Sequence, residues 1–314
     1  MSNRSTLSSM HQRKETNMAT AINHTPVPET DSTRVGTLLE KAISDIGIPP
    51  CPTILNQINA EMRKDEPDFK RLTHIINSDV GIAASLITIT NSPFFGLRNR
   101  VRSVNEALMM LGLGVASRAI AGLVLRKLFP VTPSLKQFWQ ASASIASLSG
   151  WLAQQAHSGI KVRPDDAYTF GLFRDSGIPL LLNRFSHYPE VMQKANEEKE
   201  LSFTDIENAS CNINHAVVGG LLAQGWWLPD EICLAIRHHH DYSRIEQGSS
   251  LPAATLGLIA TAQLAEHLFQ HNTGLSQTQE WNKMGSICLR LLGLTDEDLT
   301  QLYDESAAVI ESEE

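Results

Sequence analysis

Apolar residues recur at three- and four-residue spacing along almost the whole chain. Nowhere do apolar and polar residues alternate long enough to form a half-buried strand. That pattern is the strongest constraint on the fold. A chain without strands must bury helical stripes against one another, so the expected class is all-α.

Prolines, glycines and capping residues divide the pattern into pieces. Residues 1–33 are rich in Ser, Thr and Asn and carry no apolar period, which predicts a disordered leader. Val35, Leu38, Leu39, Ala42, Ile43 and Ile46 then form an amphipathic stripe ended by Gly47. Pro49-Pro50-Cys51-Pro52 forces an extended crossing, because each proline disfavours helix for the residue before it. Helical pieces follow over Thr53–Met62, Asp68–Ile76 and Val80–Asn91, the last capped by Asp79. Ser103 and Glu106 form a capping box that opens a helix stopping at Gly112, and another runs to Leu128. Pro130 and Pro133 mark a boundary between two halves. The second half reads as helices over Leu135–His157, Asp165–Asn183, Glu190–Glu198, Phe203–Ala209, Asn214–Gln224, Asp230–His240 and Leu251–Phe269. Amphipathic pieces over Trp281–Leu292 and Asp296–Ile310 precede an acidic tail.

Composition narrows the function classes. With 314 residues, 42% of them hydrophobic, the chain can bury a sizeable core. Its net charge of −8 argues against a nucleic-acid or anionic-membrane footprint, although Arg98, Arg100 and Arg102 make a local basic cluster. Unbroken apolar runs fall short of a membrane span, and the N-terminus lacks the hydrophobic block of a secretory signal. Four scattered cysteines read as buried thiols. The expected compartment is the cytoplasm.

One stretch concentrates chemistry: Gly171-Leu172-Phe173-Arg174-Asp175-Ser176-Gly177, a charged pair between glycines in the most apolar region. A His-Asp pair in such a place binds divalent metal, but an arginine has no lone pair to donate. Arg174 and Asp175 are therefore expected to make salt bridges between helices. His238-His239-His240 ends an apolar helix, and neighbouring helical residues lie about 100° apart, so at most two of the three can point inward. The expectation is a helix end with one buried, hydrogen-bonded histidine. His215 opens another helix. No nucleophile elbow or phosphate-binding glycine loop is present, and Trp226-Trp227 reads as packing surface.

In order, the motifs are Asn91-Ser92-Pro93-Phe94-Phe95-Gly96, Val101-Arg102-Ser103-Val104-Asn105-Glu106-Ala107, Phe138-Trp139, the 171–177 heptad, His215-Ala216-Val217-Val218-Gly219, Trp227-Leu228-Pro229 and Ala235-Ile236-Arg237-His238-His239-His240. Together they resemble an HDOD protein, a bacterial signalling module related to the HD phosphohydrolases. The resemblance spans roughly residues 48–268. It implies an N-terminal helical lobe (34–129) packed on an HD-like lobe (130–270), with residues 271–314 as a C-terminal extension. It also implies where a catalytic metal set would lie: a first His at Ala141, a His-Asp pair at Arg174-Asp175, and a distal Asp near Gln263. Three of those four donors are missing. Asp175, His215, His239 and His240 are the positions left that supply ligands in some HD enzymes.

The resemblance thus implies a regulatory module without a firmly held metal cofactor, acting through a protein partner in a signalling pathway or a small effector. A divergent metal-dependent phosphohydrolase using Asp175, His215 and His239 or His240 is the second reading. A nucleotide sensor with Arg174 as an anion clamp is the third.

Overall fold

The computed structural model describes residues 46–130, 132–155, 159–247 and 251–311. All of them belong to one compact unit, Lys41–Glu314. The expected leader and all of the first amphipathic stripe before Ile46 lie outside the described residues. Fifteen α-helices and one short 3₁₀ turn make up the described chain, and no strand occurs among the described residues.

The first half contains α1 (Thr53–Met62), α2 (Phe69–Asn77), α3 (Val80–Thr90) and α4 (Val104–Lys127). Its caps follow the sequence. Asp68 accepts from the backbone amides of Lys70 and Arg71, Asp79 from Ile82, and Ser103 from Glu106. The capping box is only half formed, because Glu106 reaches past Ser103 and accepts from the Arg102 amide at 2.8 Å. Gly112 breaks the helical path inside α4 with φ 73°, a left-handed value that glycine adopts without a side-chain clash.

By length and hydropathy α4 could cross a membrane. Here it serves as a core helix, with Ala107, Ala116, Ile120 and Leu125 buried. Arg118 on α4 donates to Thr169 at 3.1 Å and pairs with Asp165, tying the first half of the chain to the second.

The second half runs through α5 (Pro133–Gln154), α6 (Pro164–Phe173), α7 (Ile178–Arg184), α8 (Tyr188–Glu197), α9 (Phe203–Cys211), α10 (His215–Gly225) and α11 (Asp230–His238). It continues with α12 (Tyr242–Gln247), α13 (Ala253–Thr273), α14 (Glu280–Leu292) and α15 (Asp296–Glu311). The expected helix over 165–183 is two helices. Pro179 has no amide hydrogen to continue an α-helical ladder, so α6 ends at Phe173 and a four-residue turn intervenes. α8 is not simply solvent-facing, since Tyr188, Val191 and Ala195 are buried.

One apolar cluster runs from Leu55 on α1 to Leu302 on α15, with Phe170 and Phe173 of α6 fully buried within it. Each such phenylalanine contributes about 2–3 kcal/mol from the area it removes from water. A smaller cluster gathers Ile46, Ile178, Leu181, Tyr188, Ile206 and Val218. The two clusters flank the turn at 174–177.

Trp226 is buried, as its apolar setting predicts, but Trp227 is 57% exposed. It occupies a left-handed backbone position (φ 66°) at the end of α10, and the Arg63 guanidinium lies 4.0 Å from its ring centroid. Only Cys288 of the four cysteines is fully buried, and burial pushes its thiol up to about 12.

Candidate functional site

Close packing fixes where the turn sits. A side chain at Gly171 would meet the Ala146 Cα of α5 at 2.8 Å, so α6 lies directly on α5. A side chain at Gly177 would meet the His215 carbonyl oxygen at 2.1 Å, so the turn abuts the start of α10. These contacts carry Asp175 to His215. The turn is held by Arg174 N–H donating to the Phe170 carbonyl (2.8 Å), Ser176 to Phe173 (2.9 Å) and Ile178 to Asp175 (2.9 Å).

Arg174 is buried and each of its three guanidinium nitrogens reaches a carboxylate. Nε lies 3.1 Å from Asp175 Oδ2, Nη2 lies 2.6 Å from Glu266 Oε1, and Nη1 donates to Glu266 Oε2 at 3.0 Å. Glu266 is one helical turn beyond Gln263 on α13, and Gln263 Nε2 donates to the same Oε2 at 2.9 Å. Burial alone would lower the guanidinium's pKa, but Asp175 and Glu266 hold it above its ordinary value. Burial likewise opposes ionisation of Asp175, yet Arg174 and His239 hold its carboxyl well below the usual range.

Three histidines converge from two other segments. Asn214 caps α10 through a 2.9 Å bond from the Val217 amide and so places His215 at the first helical position. His215 Nδ1 lies 2.7 Å from Glu207 Oε2, and Tyr188 donates to the same carboxylate. His239 Nδ1 lies 2.7 Å from the Ile236 carbonyl, and His240 Nδ1 lies 2.6 Å from Glu280 Oε2. Two of the run are therefore buried rather than one, because the chain leaves the helix at His238 and the next two side chains turn inward together.

A carboxylate and a carbonyl have no proton to give, so the Nδ1 atoms of His215 and His239 must donate. That leaves their Nε2 atoms facing Asp175 Oδ1. The three acceptors form a triangle: His215 Nε2 to His239 Nε2 is 3.3 Å, His215 Nε2 to Asp175 is 3.5 Å, and His239 Nε2 to Asp175 is 3.4 Å. Acceptors packed this way need a proton or a cation among them. Burial opposes a charged His215 but Glu207 outweighs it and raises its pKa, while burial and the nearby His240 take His239 down to about 3. One proton on His215 can therefore serve the triangle.

A divalent ion can serve it instead. Tetrahedral bonds of about 2.1 Å set ligands about 3.4 Å apart, the edge length this triangle has. His240 also brings a ligand atom into the group, in which all four such atoms lie within 4.8 Å of one another. The Nδ1 contacts to Glu207, Ile236 and Glu280 orient imidazoles as the outer shell of a metal site does. The donor set fits one ion. It does not fit a second one beside Asp175, because Arg174 occupies that flank.

Of the positions the resemblance singled out, Asp175, His215, His239 and His240 come together. Arg174 and Gln263 meet at Glu266, and Ala141 lines the adjoining cavity of about 250 Å³. The sequence reading missed Glu207, Glu266 and Glu280. Each is a buried acid within or next to an apolar helical stripe, and that was the available signal.

The HDOD domain family matches residues 48–242, and the chain belongs to that family. A protein of Treponema pallidum with no assigned function is 26% identical over 220 residues, covering 68% of this chain and 41% of the relative. The chain thus spans less than half the length of that curated relative. Among solved structures, an HDOD domain protein of unknown function from Geobacter sulfurreducens matches with a TM-score of 0.60 and 21% identity, over 90% of this chain and 98% of its own. A protein from Marinobacter aquaeolei, provisionally named for signal transduction, gives 0.64 and 20%, over 90% of this chain and 65% of its own. One from Shewanella amazonensis, provisionally named a metal-dependent phosphohydrolase, gives 0.61 and 17%, over 90% and 99%. At these identities the structures establish the shared helical fold.

Proposed function

We propose that the chain is a non-catalytic signal-transduction module that works in the cytoplasm through a protein partner or a small effector. The observation that carries this reading is the buried Arg174–Asp175–Glu266 network. Metal-dependent phosphate hydrolysis needs an ion that activates water and usually a second cation or ion to take the phosphate's charge. Here the flank of Asp175 that would serve such an ion holds a guanidinium, and each of its three nitrogens already reaches one of the protein's own carboxylates. A second ion beside Asp175 would have to displace that guanidinium.

The acceptor triangle favours a second reading, a divergent metal phosphohydrolase in which Asp175, His215 and His239 hold one ion, with His240 as a fourth donor. Such an ion would supply a Lewis acid and a water of lowered pKa. The chain's own contribution would be orientation: Glu207 and the Ile236 carbonyl fix both imidazole planes. The nucleotide-sensor reading has less support, since all three guanidinium nitrogens of Arg174 already face carboxylates of the chain itself.

Turnover assays separate the readings. With Mg²⁺, Mn²⁺ or Fe²⁺ supplied, the regulatory reading expects no hydrolysis of phosphomonoesters, nucleotides or cyclic dinucleotides. Turnover that disappears in Asp175→Ala would establish the enzyme instead. Elemental analysis finding an ion without turnover would leave the regulatory reading standing, with the metal as a structural ligand.

A further inference from the structure

We propose that the loop at 97–103 and the exposed face of the first turns of α4 form a docking surface for an acidic segment of a partner protein, one that carries large apolar side chains beside its carboxylates. This rests on the reading of the chain as a module that works through a partner, and it names the chemistry that partner would bring.

The cations are concentrated by the sequence. Arg98, Arg100 and Arg102 alternate along one short stretch of a chain whose net charge is −8. All three are exposed, and none has an ion pair among the described residues. Arg118, Lys127 and Arg163 are by contrast each paired with an aspartate. The loop is therefore left with positive charge that a partner or the solvent must answer.

The loop is also held in place. Asn91 clamps Val101: its Nδ2 donates to the Val101 carbonyl at 2.8 Å, and its Oδ1 accepts from the Val101 amide at 2.7 Å. Val101 is buried, so Arg100 and Arg102 stand out on either side of a fixed anchor. Charges carried on a pinned backbone lose less freedom on binding than charges on a loose one.

A second observation, independent of the charge, marks the neighbouring helical face. Arg102 lies over the first turn of α4, where its amide donates to Glu106 Oε2 at 2.8 Å. Met109 and Met110 follow Glu106 by three and four residues, hence on the same face. They are 61% and 56% exposed, while Ala107 and Leu108 beside them are buried. The inner face of α4 is thus supplied with apolar groups already, and core packing does not call for two methionines outside. Interfaces are enriched in methionine and arginine, and the unbranched thioether chain adapts to whatever apolar group meets it. From Ser103 to Met110 the helix rises about 10 Å, a span that about two turns of a partner helix cover.

Charge decides among the occupants. Residues 1–45 of the chain hold five acids and five bases, so they bring no net charge to the arginines. A phosphate surface, membrane or nucleic acid, would press its charge on exposed Glu106 within the patch and meet a chain of net charge −8. The acidic α15 of a second copy carries six acids and no base, but its Leu299, Leu302 and Tyr303 pack into its own core and are not there to meet the methionines. A partner peptide can set discrete carboxylates against the arginines and turn an apolar side chain to Met109 and Met110.

Fluorescence anisotropy with the full chain tests this. The probe is a labelled, capped peptide of three Glu-Glu-Leu-Leu repeats, compared with peptides of Lys-Lys-Leu-Leu and Glu-Glu-Ser-Ser repeats. The expectation is saturable binding of the first at low salt, weakened at least tenfold by about 0.5 M NaCl. The second should not bind, and the third should bind at least tenfold more weakly. The triple variant Arg98→Glu, Arg100→Glu, Arg102→Glu should abolish binding, and Met109→Ser with Met110→Ser should lower it at least tenfold. All five side chains are exposed, so both variants should melt as the parent does. Arg126→Glu with Lys136→Glu, exposed cations elsewhere, should bind normally. The proposal is overturned if the acidic peptide fails to bind up to about 1 mM, if the triple variant binds it as well as the parent, or if the Arg126 and Lys136 variant loses it equally. Phosphatidylserine vesicles or an oligothymidylate that bind through the three arginines while the peptide does not would overturn it in favour of phosphates. Self-association in sedimentation that vanishes in the triple variant, without peptide binding, would overturn it in favour of a second copy. Turnover assays judge the regulatory reading by a separate measurement, so a failed isotherm and a hydrolytic activity are distinct results.

Discussion

Arg174 and Glu266 lie 92 residues apart in the chain, yet they form a two-point contact within the core, each carboxylate oxygen reached by a different guanidinium nitrogen. A buried pair of this kind adds little net stability over an apolar substitute, but breaking it leaves a stranded charge. Arg174→Ala should therefore cost about 3–5 kcal/mol, read as a lowered urea midpoint. The double variant Arg174→Met with Glu266→Met should recover most of that loss, and equal loss in both would show that the pair itself is not what matters. The salt bridge of Arg174 was legible in the sequence, because arginine cannot ligate a metal and a buried one needs a carboxylate. Its main partner was not legible. Glu266 sits in an apolar helix, and only the fold brings it onto the heptad. The same holds for Glu207 and Glu280, whose histidines could be named while the acids orienting them could not.

The element that makes the site is the turn between α6 and α7. Gly177 lets it press against α10, and a Cβ there would lie 2.1 Å from the His215 carbonyl oxygen and 2.9 Å from the Gly219 amide nitrogen, both backbone atoms that cannot swing away. Gly177→Ala should cost more than about 3 kcal/mol, beyond ordinary overpacking, since a backbone must move rather than a rotamer. Gly225→Ala is the control. That glycine ends α10 with open space around it, and alanine there should raise stability by about 0.4–1 kcal/mol. Paired thermal melts of the two variants check both signs, and a mild Gly177→Ala would mean that the two segments tolerate separation. Helix starts were readable from Asp79 and Ser103, because a cap is a local matter between a side chain and the amides that follow. The expected helices beginning at Asp68 and Asn214 start with residues that the structure shows as caps too. The break after Phe173 was harder to see. An apolar stripe continues across it, and only Pro179 signals that the ladder cannot.

At the scale of the whole molecule, the residues beyond the family match complete what lies within it. α14 supplies Glu280 to His240, and α13, α14 and α15 lock together around His267. That imidazole stacks on Trp281 with ring centroids 4.2 Å apart, and its Nε2 lies 2.7 Å from the Tyr303 hydroxyl. Burial, and next the neighbouring His271, bring His267 down to about 4. In the unfolded chain a histidine titrates near 6.5, so between those values unfolding takes up a proton. Stability contributed by the neutral imidazole is therefore complete above about pH 7 and is lost as pH falls through 6.5 towards 4. His239, held down to about 3, acts with the same sign, whereas His215, held up, stabilises at low pH and weakens as pH rises. A difference measurement isolates His267 from both. Urea midpoints of the parent chain and of His267→Gln, compared between about pH 7.5 and about pH 5, should diverge in slope by up to one proton, with the parent losing more stability on acidification. Parallel pH profiles would show that the C-terminal helices are not joined through a neutral His267.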